Sequence, residues 1–150
     1  MKETSPQSHR ELHFWAKPSF LYRSHGAKTL ILEITKGQIK DGIALYTLRG
    51  SVHTGPDCRR IEHEVEELLK SKESRAILDF TSVTHIDSAA IGVIVRCYSR
   101  LKNAGGALRL AGCSGMIASS LKLCRVDKVI DIFPSADAAA ENFPAARPKA

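Results

Sequence analysis

The sequence has little that would carry it into or across a membrane. Its longest unbroken apolar run, from Ala89 to Val95, is seven residues in a chain of 150. A helix that crosses a bilayer needs about 20 apolar residues. The chain also shows no leader of charged, then apolar, then small residues, the pattern typical of secretion. These absences predict a cytoplasmic protein without membrane insertion.

The four cysteines lack the spacing of a metal or redox motif. No C-x-x-C pair occurs, which excludes a zinc ribbon and a thioredoxin-type site. His53, His63 and His85 also lack metal-ligand spacing. We therefore expect no bound metal and no cofactor, and thiols that stay free in a reducing compartment. Cys97 and Cys124 are expected to be small core residues on helices.

The positive charge is concentrated at the two ends of the chain. Of the net charge of +6, residues 1–28 carry +3 and residues 144–150 carry +2. Residues 29–143 carry only +1, because 15 Lys and Arg residues are offset by 14 Asp and Glu residues. A protein that follows phosphates needs a basic stripe on its folded body. The nearly neutral body therefore argues against direct nucleic-acid binding.

The same three segments give the predicted domain organisation. Residues 29–143 form one domain, with an N-terminal extension (1–28) and a flexible tail (144–150). The extension has many large apolar side chains for an unstructured segment, and those from residue 14 onward are Phe14, Trp15, Phe20, Leu21 and Tyr22. It is either a cap on the edge of the domain or a docking segment, and about its first 12 residues are expected to be mobile.

Hydrophobic periodicity predicts nine elements in the order β-β-α-β-α-β-α-β-α. Strands within residues 31–36 and 43–48 flank an Asp-Gly pair, which is a hairpin signal. The first helix is expected to begin near Thr54, because the spacing from Thr54 to Asp57 resembles a capping box. Pro56 suits the first turn of that helix.

The second half of the domain alternates strands and helices. A buried strand at 76–80 is followed by a turn at 81–87 and a helix over 88–104, and a last strand covers 129–132. The predicted core between the sheet and this helix consists of Ile77, Leu78, Phe80, Ile91, Ile94, Val95, Leu108 and Leu110. This alternation predicts an α/β fold with a mixed, mainly parallel sheet and helices packed on it.

The pair Asp87-Ser88 stands where a strand and a turn lead into the second helix. Either side chain can cap the helix by accepting hydrogen bonds from its free N–H groups. Alternatively, Ser88 is displayed at the helix N-terminus for phosphorylation, where the free N–H groups and the helix dipole tolerate a phosphate. The local sequence leaves both interpretations open.

No catalytic arrangement surrounds this serine. Ser88 does not stand in a Gly-x-Ser-x-Gly elbow, and although His53 or His85 could act as a base, no third member of a triad is marked. The loop Gly112–Gly115 opens the third helix but lacks the lysine of a phosphate-binding loop, so it is predicted to be a plain loop with Ser114 as a cap. We expect no enzymatic activity.

From Ala76 to Phe133 the sequence resembles a STAS domain, the domain of bacterial anti-sigma factor antagonists. The family pattern is a strand, Asp-Ser, a small-residue pair, an aliphatic residue, Gly, a long helix, Gly-Gly and a further strand. The segments that carry the resemblance are Ile77-Leu78-Asp79-Phe80, Ile86-Asp87-Ser88-Ala89-Ala90-Ile91-Gly92-Val93-Ile94, Gly105-Gly106 and Ala107-Leu108-Arg109-Leu110. It extends more weakly over about residues 29–143 and implies a STAS-like fold.

The resemblance implies a switch protein. Ser88 matches the serine that an anti-sigma factor serine kinase phosphorylates and that a phosphatase restores. In its unphosphorylated form the protein would bind a kinase-fold anti-sigma factor and so release a sigma factor. The implied partner-binding residues are His53, Asp87, Ser88, Ala89 and Ile91.

Two positions depart from the family pattern. After its second strand the family often shows Gly-x-Leu-Asp, whereas this chain has Gly50-Ser51-Val52-His53, with a histidine in place of the acid. Ala90 replaces a frequent Gly, which is a mild change because Ala is the better helix former.

Two alternative functions stay open. They are a STAS subunit of a lipid-transport ATPase complex and a member of a stress-sensing assembly.

Overall fold

The computed structural model describes residues 31–40 and 42–147, so the predicted extension lies outside the described residues. Its elements are β1 (Glu33–Lys40), β2 (Ile43–Val52), α1 (Pro56–Lys70), β3 (Arg75–Ile86), α2 (Ser88–Asn103), β4 (Ala107–Ala111), α3 (Gly115–Leu123), β5 (Ile132–Phe133) and α4 (Ala136–Ala140). A 3-10 helix, Val126–Lys128, precedes β5. The predicted order of strands and α-helices is confirmed.

The five strands form one mixed sheet in the order β1-β2-β3-β4-β5. β1 and β2 are antiparallel, and the other neighbouring pairs are parallel. The hairpin turn contains Gly42 with a φ of 76°, a left-handed conformation that glycine adopts without steric cost. Because β2, β3 and β4 are parallel, their C-terminal ends at Val52, Ile86 and Ala111 lie at the same edge of the sheet. We call this edge the carboxyl edge.

Different layers cover the two faces of the sheet. Buried residues of α1, α2 and α3 share one large apolar cluster with Leu78 and Leu110. Successive strand residues point to opposite faces, so Ile77 belongs instead to a second cluster with Ala139 of α4. The prediction of a single core is therefore wrong for Ile77, and Val95 is only partly buried at the margin of the large cluster.

β3 is longer than its apolar centre predicts. The strand continues through residues 81–86, which were expected to form a turn. Most of this segment is polar and exposed, but Ser82, Val83 and Ile86 pair with the second half of β2. The ladder to β2, rather than burial, therefore holds the end of β3 in an extended conformation.

The last strand begins later than predicted. Residues 129–132 were expected to form it, but β5 contains only Ile132 and Phe133. The backbone N–H groups of Val129 and Ile130 both donate to the carbonyl oxygen of Val126, at 2.8 Å in each case. This turn continues from the 3-10 helix and prevents an earlier strand start.

α1 begins without the predicted capping box. Its N-cap is Gly55, with a φ of 93° and no side-chain hydrogen bond. The Asp57 carboxylate instead accepts a hydrogen bond from the backbone N–H of His53, at 3.0 Å. Pro56 is the first helical residue, as the sequence predicts. Asp57 of α1 therefore binds the backbone of the loop that precedes the helix and does not take part in a capping box.

The C-terminal segment packs back on the domain through Arg109. The guanidinium carbon of Arg109 lies 4.7 Å from the ring centroid of Phe133 and 4.8 Å from that of Phe143. Further along, the backbone N–H of Arg147 donates to the carbonyl oxygen of Gly105, at 2.8 Å. The last three residues of the predicted flexible tail lie outside the described part of the chain, so its flexibility stays a prediction.

The cysteines differ in burial. Cys58 and Cys97 are buried, Cys113 is half-buried and Cys124 is exposed. The core prediction is therefore confirmed for Cys97 and wrong for Cys124, because α3 ends at Leu123 and Cys124 follows as its exposed C-cap.

No helix in the described ranges is long and apolar enough to span a bilayer.

Candidate functional site

The predicted site lies at the carboxyl edge, where β3 passes into α2. Asp87 is the N-cap of α2, and Ser88 is its first helical residue. The loop between β2 and α1, which contains His53 and Thr54, lies beside this junction. Two loops that follow neighbouring parallel strands therefore meet at the start of a 16-residue helix.

Asp87 connects these two loops. Its Oδ1 accepts a hydrogen bond from the backbone N–H of Ala90 at 2.9 Å, which caps the helix. Its Oδ2 accepts one from the backbone N–H of Thr54 at 2.8 Å. Its own backbone N–H donates to the carbonyl oxygen of Val52 at 3.3 Å. Asp87 therefore holds the start of α2 against the loop after β2.

The same contacts set the charge of Asp87. Burial raises the pKa of this carboxyl, but the backbone N–H groups of Ala90 and Thr54 and the nearby His53 lower it by more. The net result is a pKa below the usual range for aspartic acid. The Asp87 carboxylate is therefore ionised at neutral pH, and the start of α2 carries a negative charge next to Ser88.

Ser88 does not cap the helix. The capping oxygen belongs to Asp87, and the side chain of Ser88 is exposed at the first helical position. Within residues 31–40 and 42–147, no hydrogen bond holds its hydroxyl. Of the two interpretations left open by the sequence, the cap is thus assigned to Asp87, and the serine hydroxyl is available to another molecule.

His53 lies close enough to Asp87 to lower its pKa, and its side chain is exposed. Its backbone is fixed at both ends. The N–H donates to Asp57 at 3.0 Å, and the carbonyl oxygen accepts from the Sγ of Cys58 at 3.3 Å. The histidine that departs from the family pattern is therefore presented on an ordered loop at the same surface as Ser88.

The other two predicted partner-binding residues differ in position. Ala89 is exposed next to Ser88. Ile91 is only 6% exposed and belongs to the large core cluster. Its side chain packs in the core under α2, so the surface at the site is formed by the exposed His53, Ser88 and Ala89 together with the half-buried Asp87. We call these four residues the switch surface.

The sequence did not indicate all of the residues that hold this surface. The Oγ1 of Thr84 donates to the carbonyl oxygen of Gly50 at 3.2 Å and lies 3.4 Å from the Oγ of Ser51. Gly50 has a φ of 104°, and a Cβ there would collide with the backbone carbonyl of Ile31. A glycine near the end of a strand is a signal for such a close approach. The contact between Thr54 and Asp87 has no comparable signal in the sequence.

Two neighbouring groups do not form a catalytic or phosphate-binding site. The Nδ1 of His85 lies 3.1 Å from the Oγ1 of Thr84, which gives this histidine a partner other than Ser88. In the loop before α3, the Asp79 carboxylate lies against Gly112, where its negative charge disfavours a phosphate. The described residues contain no group of three or more His, Cys, Asp or Glu side chains that could hold a metal.

Comparisons with known proteins agree with this architecture. A structure from Thermotoga maritima, solved as that of a candidate anti-sigma factor antagonist, aligns with a TM-score of 0.68 at 20% identity, over 73% of this chain and 93% of that one. The Bacillus cell fate determinant SpoIIAA in its phosphorylated form aligns with a TM-score of 0.58 at 12% identity, over 71% and 95%. A sulfate transporter family protein from Wolinella succinogenes gives 0.60 at 18%, over 67% and 84%.

At these identities the solved structures show the fold alone. Among proteins with curated descriptions, none matches this sequence. The family model of the STAS domain matches residues 36–139, which is more than half of the chain and includes β2 to β5 and the whole switch surface. This protein belongs to the STAS domain family.

Proposed function

We propose that this protein is an anti-sigma factor antagonist whose switch is the phosphorylation of Ser88. In its unmodified form it binds a kinase-fold anti-sigma factor in the cytoplasm and frees a sigma factor. That kinase phosphorylates Ser88, and a phosphatase reverses the modification. The observation that carries the proposal is the exposed, unbonded hydroxyl of Ser88 at the first position of a helix that Asp87 already caps.

The fold can accept a phosphate at this position. Within the described part of the chain the Ser88 hydroxyl has no hydrogen bond that modification would break, and the two backbone hydrogen bonds that Asp87 accepts do not involve Ser88. A phosphate at a helix N-terminus is stabilised by free N–H groups and by the helix dipole. The switch therefore needs no refolding of the domain.

The same phosphate would oppose binding of a partner. It adds about −1.5 to −2 charges at neutral pH, beside an Asp87 carboxylate that is already ionised. A partner surface that fits a neutral hydroxyl must then desolvate a charged group. A loss of about 3 kcal/mol at the interface weakens binding roughly a hundredfold.

One alternative is a fixed subunit of a lipid-transport ATPase complex. The fold is shared with a sulfate transporter family protein, which supports a transport-associated role as the second candidate. In that function, or in a stress-sensing assembly, the switch surface would contact a permanent partner and Ser88 would not turn over. In all of these functions the chain is a binding domain and not an enzyme.

The test is phosphorylation with purified kinase-fold anti-sigma factors and ATP, read by mass spectrometry. We expect phosphate on Ser88 of the wild type and none on Ser88→Ala. Ser114→Ala is the matched control, because Ser114 also stands at the start of a helix that follows a strand. That variant should be phosphorylated like the wild type.

Binding of the same partner completes the test. Ser88→Ala should keep tight binding that ATP does not weaken, whereas Ser88→Asp should bind more weakly although it folds normally. Phosphate on Ser82 or Thr84 with Ser88 unmodified would move the switch to the end of β3. No phosphate on any residue, together with stable binding to a transporter ATPase, would favour the transport alternative.

A further inference from the structure

Exposed apolar and cationic side chains stand together where α3 ends. Leu123, the last residue of the helix, is 83% exposed, and Val129 is 50% exposed. Three exposed cations are their neighbours in the sequence: Lys122, Arg125 and Lys128. We call these five residues the α3 tip. The tip shares no residue with the switch surface.

Successive turns hold the α3 tip in one ordered segment. The backbone N–H of Arg125 donates to the carbonyl oxygen of Lys122 at 3.0 Å, and that of Lys128 donates to Arg125 at 3.2 Å. The N–H of Val129 donates to the carbonyl oxygen of Val126 at 2.8 Å, and the side chain of Val126 is buried in the large core cluster. The five side chains therefore project from a backbone that is anchored to the core.

The folded domain does not neutralise the charge of the tip. Lys122, Arg125 and Lys128 form no ion pair with an acidic side chain of residues 31–40 or 42–147. Asp127 is the single acidic residue of segment 122–129, so this segment carries a net charge of +2. The helix dipole favours cations at a helix C-terminus, but it does not explain the exposed apolar side chains among them. Cations next to exposed apolar groups are typical of segments that lie in a membrane interface.

We propose that the α3 tip binds the surface of a membrane that contains anionic phospholipids. The lipid phosphates would bind Lys122, Arg125 and Lys128, while Leu123 enters the apolar layer just below the headgroups. The domain would lie on the membrane, and no helix would cross it. This inference does not depend on the proposed function, because the tip and the switch surface are separate.

The shape of the tip favours a membrane over a protein or a nucleic acid. A leucine that is 83% exposed protrudes, whereas an acidic helix from a partner docks into an apolar groove. A nucleic acid offers phosphates to the cations but no apolar layer for Leu123 and Val129. A bilayer offers phosphates and acyl chains at adjoining depths. The net charge of +6 of the whole chain adds attraction to an anionic surface.

The experiment is co-sedimentation of the full-length protein with vesicles. Vesicles of phosphatidylcholine and phosphatidylglycerol in equal amounts are compared with vesicles of phosphatidylcholine alone. We expect binding to the anionic vesicles only, and weaker binding at high salt. Arg125→Gly should weaken binding about fivefold, because it removes one cation from the surface. Leu123→Gln should weaken it about tenfold, because it removes the apolar group that enters the bilayer.

Arg59→Gln is the matched control. Arg59 is an exposed residue in the first half of α1, so this variant loses the same charge elsewhere on the domain. It should bind anionic vesicles nearly as well as the wild type.

Both test variants should keep the fold. Arg125 has a φ of 61°, a left-handed conformation that favours glycine, and Gly105 holds the corresponding position after α2 with a φ of 92°. Leu123 is exposed, so Leu123→Gln removes no core contact. Urea denaturation checks both variants, and neither midpoint should fall.

Cys124 reports which surface faces the membrane. It lies between Leu123 and Arg125 and is exposed, whereas the other three cysteines are buried or half-buried. Anionic vesicles should protect Cys124 from a water-soluble maleimide, as read by mass spectrometry. Vesicles of phosphatidylcholine alone should leave it reactive.

Several results would overturn the proposal. The first is no binding to anionic vesicles, or equal binding to both kinds of vesicle. Binding without protection of Cys124 would show that another part of the chain, such as its basic ends, contacts the membrane. Equal weakening by Arg125→Gly and Arg59→Gln would show that only the net charge matters. Binding of duplex DNA or poly(glutamic acid) through the tip, without vesicle binding, would identify a different partner.

Discussion

α2 and α3 both begin at the carboxyl edge, after the neighbouring parallel strands β3 and β4, but their starts are built differently. At α2 a side chain fixes the junction, since Asp87 caps the helix and accepts from Thr54 in the next loop. At α3 the N-cap Ser114 makes no side-chain hydrogen bond, and Gly112 and Gly115 on either side of it have positive φ angles.

This difference indicates which helix start can present a functional side chain. Because Gly112 has no side chain, the loop before α3 packs closely against Thr81 and Asp79. This close packing, and not a capping side chain, holds the start of α3. At α2, Asp87 holds the backbone and leaves the next side chain, Ser88, free on an ordered platform. A hydroxyl that becomes modified suits the arrangement at α2, because Ser88 does not hold the start of the helix.

The largest expected effect tests whether the two helices are equally anchored. Ile94 of α2 and Leu121 of α3 are both 0% exposed. Ile94→Ala and Leu121→Ala should each lower the free energy of unfolding by about 2–5 kcal/mol, measured by urea denaturation. A loss below about 1 kcal/mol for either variant would show that its helix is not anchored in the core. In that case the two helices would differ in their packing against the core as well as in how they begin.

Two glycine substitutions test how the α3 start is held. Gly112 and Gly115 have φ angles of 71° and 53°, and alanine in this region costs about 1–2 kcal/mol. A Cβ at Gly112 would lie 2.8 Å from the backbone nitrogen of Thr81 and 2.9 Å from Oδ1 of Asp79, whereas one at Gly115 meets nothing within 4 Å. Gly112→Ala should therefore cost about 1–3 kcal/mol more than Gly115→Ala in thermal or urea unfolding. Equal losses would contradict the close approach.

The caps themselves give the next effect. Asp87→Ala removes the cap and the bond to Thr54, and we expect a loss of about 1–2 kcal/mol. Ser114→Ala removes no side-chain cap bond and should change the stability by less than about 0.5 kcal/mol. Denaturation of both variants under one buffer condition checks the difference. Equal losses would show that the two starts are held alike.

Acid should reduce the advantage of Asp87. Its pKa is lowered in the folded protein, so its stabilising contribution is present above the unfolded value of about 3.9. The contribution is lost as the pH falls through the lower folded pKa. The stability difference between the wild type and Asp87→Ala should therefore be constant near neutral pH and shrink below about pH 4. A difference that stays constant down to pH 2 would contradict a stabilised carboxylate.

The smallest expected effect is that of Ser88 on stability. Its side chain is exposed and does not cap α2, so Ser88→Ala should change the free energy of unfolding by less than about 0.5 kcal/mol. Ser88→Ala and Asp87→Ala differ by one position, and only the second should destabilise the protein. A loss above 1 kcal/mol for Ser88→Ala would mean that the serine shares the cap.

Local patterns in the sequence were sufficient for the order of elements. Apolar spacing along α2 predicts its buried face at Ile91 and Ile94, and both residues are in the core. Alternation in strands and the Asp-Gly hairpin signal likewise act between near neighbours. Such features are legible because helix and strand periods repeat within a few residues. The pair Asp87-Ser88 was recognisable for the same reason, as a polar pair before an apolar helix.

The tertiary structure decided what depends on residues far apart in the chain. The mostly polar segment 81–86 forms strand because β2 pairs with it, and Ile77 joins the second core because a separate helix, α4, covers that face. Asp87 also accepts a hydrogen bond from Thr54, 33 positions away, which joins the start of α2 to the loop after β2. The sequence by itself determined the elements and the candidate serine. Only the folded chain decided that Asp87 caps α2 and Ser88 does not, and that Asp87 also binds the loop after β2, since the contact with Thr54 joins two loops that no local period relates.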